Sequence, residues 1–102
     1  MYTDFISKPL YHILADLTHE ARLELALPLA IKDWVRLRLK ESSERRETFE
    51  GRYGMSFAAF KQAWDDGRIS NAYSYEVERD YWEWEAAETD EGRLRDVLAS
   101  LA

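Results

Sequence analysis

Along most of this chain apolar residues recur three and four positions apart, which is the spacing of amphipathic helices. Pro9 suits a first helical turn, where its missing N–H has no partner to lose. Leu10, Ile13, Leu14 and Leu17 follow at helical spacing and predict a short helix over 9–17. Thr18 can cap a second helix, with Glu20 in its first turn. The clearest local pattern is MSFAAFKQAWDDG. Ser56 is a natural N-cap, Phe57, Phe60 and Trp64 share one face, and Gly67 provides a stop, so a helix is expected over 57–66. Upstream, Ile31, Trp34, Val35, Phe49 and Tyr53 mark the apolar face of a helix running from Pro28 to Tyr53, which Gly54 ends in a left-handed conformation. Its stretch Lys40–Glu47 carries no large apolar residue and reads as solvated, with Glu41 and Arg45 as an i,i+4 pair.

The segment ARLELALPLAIKDWVRLRLKE reads two ways. Leu23, Leu25, Leu27, Leu29 and Ile31 alternate at the period of a strand. Leu, Ala, Arg, Lys and Glu nevertheless favour helix, and Pro28 disrupts a central strand and breaks or restarts a helix. A helix broken near Pro28 is favoured, and a short strand near 22–27 stays open. The expected fold class is all-α, a single helical domain over 1–102. It comprises an N-terminal segment (1–27), a helical middle (28–66), a connector (67–73) and a C-terminal stretch (74–102) of one long helix or two. A break falls between Thr89 and Gly92 in the second case. Leu94, Val97, Leu98 and Leu101 form a heptad-like seam that could join identical copies.

The run SYEVERDYWEWEAAE, residues 74–88, sets aromatic surface beside six carboxylates. At 100° per residue, Val77, Tyr81 and Trp84 fall within about 60° of each other, and Tyr75, Trp82 and Ala86 within about 40° on the opposite side. A helix resting on one small core needs only one apolar stripe. The second must cover another part of the chain, a second copy or a different protein. Trp and Tyr are common anchors at interface centres, so Tyr75, Val77, Tyr81, Trp82 and Trp84 are the candidate partner-binding residues. Tyr73, Tyr75 and Val77 also alternate as in a strand, but the phase slips before Trp82.

The chain has 102 residues and a formal net charge of −6. That balance argues against a large nucleic-acid footprint and suits a basic protein partner. With no cysteine, neither a disulfide framework nor a thiolate metal site is available. No apolar run approaches the roughly 20 residues of a membrane helix, and MYTDFISKPL lacks the pattern of a signal peptide. A cytoplasmic protein with no membrane contact is expected. His12 and His19 are too few for a metal site, and HEARL at 19–23 is not the zinc pattern because Leu23 stands where a second His is needed. With no nucleophile elbow or phosphate loop, the expectation is no enzyme, no metal and no cofactor. Lys32, Arg36, Arg38, Lys40, Arg45 and Arg46 could form a small phosphate-binding face, but Asp33, Glu41, Glu44 and Glu47 interleave with them. A strand at 22–27 before a helix would look like the arm of a ribbon–helix–helix DNA-binding regulator, presenting Arg22, Glu24 and Ala26. Only Arg22 of these is a strong donor.

RYGMSFAAFKQAW (52–64), a short connector and YSYEVERDYWEWEAA (73–87) together resemble small helical proteins of prokaryotic type II toxin–antitoxin modules, on the antitoxin side. The likeness covers roughly 28–100 and is carried mostly by YGMSF and DYWEWE; the first 27 residues add nothing. The resemblance implies an acidic protein that binds and neutralises a basic cognate toxin. Antitoxins often carry a DNA-binding N-terminal part, and this N-terminus shows no convincing version of one.

Overall fold

The computed structural model describes residues 6–101. Residues 1–5, in the stretch read above as no signal peptide, and Ala102, at the end of the C-terminal range, lie outside the described residues. Four helices follow one another: α1 (Lys8–Thr18), α2 (Leu23–Tyr53), α3 (Phe57–Asp65) and α4 (Tyr75–Ser100). The described chain is all-α, with a long C-terminal helix as expected and no strand among the described residues. α2 and α4 are the frame. At 1.5 Å per residue they are roughly 46 and 39 Å long and pack antiparallel along much of their length, giving a body of 58 × 25 × 21 Å. α1 folds back on the N-terminal half of α2, and α3 closes the other end against α4.

The helix ends follow local chemistry. The hydroxyls of Ser7, Ser56 and Ser74 accept from the backbone N–H of Leu10, Ala59 and Val77, three residues on in each case. Gly54 ends α2 at φ +68°, its N–H donating to the Glu50 carbonyl at 2.7 Å. That conformation is strained for any residue with a Cβ. Gly92 by contrast lies inside α4 with open space where a Cβ would stand. Gly54→Ala is therefore expected to lower stability by about 1 kcal/mol, and Gly92→Ala to raise it by roughly 0.5–1 kcal/mol. Opposite displacements of the urea midpoint are the measurement, and two shifts of the same sign would contradict this account.

Four sequence expectations need correction, and one alternative is resolved. Residues 23–27 are helix, and Pro28 neither breaks nor restarts it: α2 begins at Leu23 and passes through Pro28 uninterrupted. The proline comes early in α2, so the one hydrogen bond it removes is to a carbonyl near the helix end. Burial of Leu23 and Ala26, where α1 packs on α2, holds that first turn. Thr18 does not cap α2; it ends α1, its hydroxyl donating to the Leu14 carbonyl at 2.7 Å. His19 follows with φ +56°, and the Tyr11 hydroxyl donates to the Ala21 carbonyl across the turn. The solvated reading of Lys40–Glu47 fails at Arg46, which reaches across to α4. Glu41 pairs with Arg38 at 3.1 Å rather than with Arg45. α4 is a single helix with no break between Thr89 and Gly92.

The core lies where the second half of α2, α3 and the first half of α4 meet. Phe49, Phe60 and Trp84 are its buried centre, with Tyr53, Phe57, Trp64, Val77 and Tyr81 packed around them. The rings interlock. Trp84 stacks on Phe49 and on Tyr53, each at 5.7 Å between centroids, and tilts against Phe60 at 5.0 Å. Aromatic pairs at such distances add about 0.5–1.5 kcal/mol each beyond their burial.

Candidate partner-binding surface

The two stripes of α4 have different fates. Val77, Tyr81 and Trp84 turn inward, Trp84 with no exposed surface at all. They pack on the chain's own core, and Trp84 is corrected as a partner-binding candidate, since a side chain enclosed by Phe49, Tyr53 and Phe60 has nothing left to offer a partner; Val77 and Tyr81 are half-buried beside it. Tyr75 and Trp82 point outward, 75% and 72% exposed. Together with Glu78, Arg79 and Glu83 they line a shallow recess of about 410 Å³. The Arg79 guanidinium lies over the Tyr75 ring, 5.6 Å from its centroid. Tyr73, 89% exposed just before the helix, meets Trp64 edge-on. The outcome is an open aromatic face bordered by carboxylates, on a helix whose opposite side is anchored.

Two carboxylates fix that helix in place, and neither stood out in the sequence. Asp80 is buried and accepts from the Tyr53 hydroxyl at 2.6 Å and from the Arg52 guanidinium at 2.7 Å. Burial pushes its carboxyl up, but the hydroxyl and the guanidinium outweigh burial and hold it below its ordinary value. Burial and the bond to Asp80 push the Tyr53 hydroxyl up to about 12, so it is a donor at neutral pH. One helical stretch further, Glu91 is buried between Arg46 at 2.8 Å and Arg95 at 2.6 Å, and Arg46 also holds Glu50 at 2.7 Å. Burial again acts upward on Glu91, and the two guanidinium groups bring it below its ordinary value. Glu88, between these clusters, is raised by burial and by the nearby charge of Glu91. The buried indole N–H of Trp84 has no hydrogen-bond partner; its proximity acts to lower Glu88, against the larger effect of burial. Sequence spacing alone shows these acids only as members of an acidic run. Apart from Arg95, one turn from Glu91, their partners lie 27 to 45 residues away, so the helix pairing is needed to find them.

The remaining candidates sit apart from this face. In the C-terminal seam, Leu94, Leu98 and Leu101 are half-buried within the chain and Val97 is more open. His12 is exposed beside the Tyr11 ring and His19 closes α1. Among the described residues no three His, Cys, Asp or Glu side chains converge as metal ligands, and no helix is long and apolar enough to cross a membrane. The strand arm is not formed: Ala26 is buried on α2, and Arg22 is tied to Glu20. In the basic cluster Arg36, Arg38, Lys40 and Arg46 each pair with an acid on their own helix.

A second apolar surface has no counterpart among the sequence candidates. On α1, Leu10, Ile13 and Leu17 are exposed. On the facing half of α2 so are Leu25, Leu27, Leu29, Ile31, Trp34 and Leu37. The period-two alternation that suggested a strand was the available signal: on a helix, where alternate residues stand about 200° apart, it places apolar residues on opposite sides.

Comparison with protein families, curated proteins and solved structures finds no match to this chain.

Proposed function

We propose that this protein is an antitoxin-like binding module, which neutralises a basic cognate toxin by docking it on the outer face of α4 through Tyr75 and Trp82. The observation that carries the reading is the exposure of those two rings on a helix whose other stripe packs on the core. Large aromatics in an acidic rim are the composition of an interface centre awaiting Lys and Arg on its partner. The net charge of −6 steers a basic protein toward it. The likeness of residues 28–100 to antitoxins supports the same role. In this reading the chain performs no chemistry. It covers or distorts the toxin's working surface, and the buried Asp80 and Glu91 clusters keep α4 rigid, so little ordering entropy opposes binding.

The test is a single substitution. Trp82→Ala is expected to weaken binding to the product of the neighbouring gene by about 2 kcal/mol, roughly thirty-fold, and to abolish rescue of growth. Its unfolding midpoint should stay within about 0.5 kcal/mol of the parent, as for an exposed site. Full rescue by Trp82→Ala, or the absence of any toxic neighbour, removes the proposal.

A further inference from the structure

We infer that the opposite end of the molecule, formed by α1 and the N-terminal half of α2, is covered by a second copy of this chain. The proposal is independent of toxin binding and concerns a surface that the aromatic face does not touch. On α2, Leu25 and Leu29 share one side, while Leu27, Ile31 and Trp34 fall within about 60° of each other on nearly the opposite side. All five are exposed in the protomer. A helix that is apolar on opposite sides belongs inside a bundle, yet α1 covers only the arc that buries Leu23 and Ala26. α1 adds its own uncovered stripe, with Leu17 77% exposed.

The number of exposed residues is unusual for a monomer. Nine large apolar side chains of α1 and the first half of α2 are exposed, Leu10, Ile13 and Leu17 on α1 and the other six on α2, whereas exposed apolar residues on a monomer are ordinarily scattered singly.

Charge selects the occupant. Residues 8–37 carry four basic and four acidic side chains, so this end is neutral while the whole chain carries −6. A basic partner is drawn to the other half of the molecule. Two copies of an acidic chain repel each other least where each is neutral. A lipid surface would call for an excess of Lys and Arg bordering the apolar stripe, which a neutral end does not supply. An isologous pair joined here leaves both α4 aromatic faces free, at the far ends of the assembly.

Light scattering across a wide micromolar range, with thermal melts at each concentration, tests the inference on the full chain. The expected mass is twice the 12.1 kDa of one chain, with a melting point that rises with concentration. Leu17→Glu and Ile31→Glu should each give a monomer that keeps its helical circular dichroism and loses the concentration dependence, while Trp82→Ala stays dimeric. A wild-type monomer throughout, glutamate variants that remain dimeric, or dissociation by Trp82→Ala overturns the inference. So does a wild-type monomer that sediments with anionic phospholipid vesicles. Should Ile31→Glu fail to fold, the wild-type mass and the variant at the more exposed Leu17 decide.

Discussion

Trp84→Ala is expected to cost about 3–5 kcal/mol of stability, a large part of the roughly 5–15 kcal/mol available to a natural domain. The magnitude follows from position. Trp84 is fully buried and packs on Phe49, Tyr53, Phe57 and Phe60. Those rings come from α2 and α3, so truncation opens a cavity at the junction of three helices, which close contact between rigid aromatics cannot collapse to fill. Urea unfolding followed by circular dichroism is the measurement. Trp82→Ala, two residues away on the same helix, serves as the internal control with almost no effect. Similar losses from both substitutions would mean that the two stripes of α4 are not divided between core and surface. The contrast also bears on binding experiments: a variant altered at Trp84 loses partner binding by unfolding, and only Trp82 reports on the interface.

The second large effect concerns Asp80. The double substitution Arg52→Ala with Tyr53→Phe leaves a buried carboxylate with neither partner and is expected to cost about 3–5 kcal/mol at neutral pH. Arg52→Ala alone should cost much less, because that guanidinium is half exposed and the Tyr53 hydroxyl remains. The pH profile distinguishes this mechanism from simple loss of packing. In the wild type the folded pKa values of Asp80 and Glu91 lie below their ordinary values of 3.8 and 4.5. Their stabilisation is complete above those values and disappears as the pH falls through the folded ones. Glu88 has the opposite sign. Its folded pKa is raised above 4.5, so its ionisation opposes folding at neutral pH and the penalty disappears on mild acidification. Wild-type stability should therefore rise slightly from neutral into mildly acidic solution and then fall steeply. In the double variant only burial acts strongly on Asp80, which raises its pKa, and the variant should regain stability on acidification where the wild type loses it. A parallel loss in both proteins would show that Asp80 is not held by this pair.

Local features were legible in the sequence wherever they depended on neighbouring residues. Ser56 and Gly67 marked α3 to within a residue, and Gly54 marked the end of α2, because caps and stops are matters of one turn of backbone. Pro28 misled, because its cost is set by how near the helix end it lies and by what buries Leu23 and Ala26. The alternating leucines misled for a related reason: period two suggests a strand when read one residue at a time. Here it is helix apolar on more than one side, and only its neighbours in space tell the two apart.

By itself, then, the sequence determined the helical class, the cap positions, the acidic balance and the presence of two opposed stripes on residues 75–86. All of these rest on periodicity, backbone preference and charge, which act over short spans of chain. The tertiary structure decided which stripe of α4 is buried and which is offered. It made Asp80 and Glu91 buried anchors rather than members of a solvated acidic face, and it left apolar residues on both sides of the N-terminal half of α2 exposed. Each of those depends on the antiparallel meeting of α2 with α4, which brings side chains up to 45 positions apart within 3 Å of each other, and no local pattern encodes that meeting.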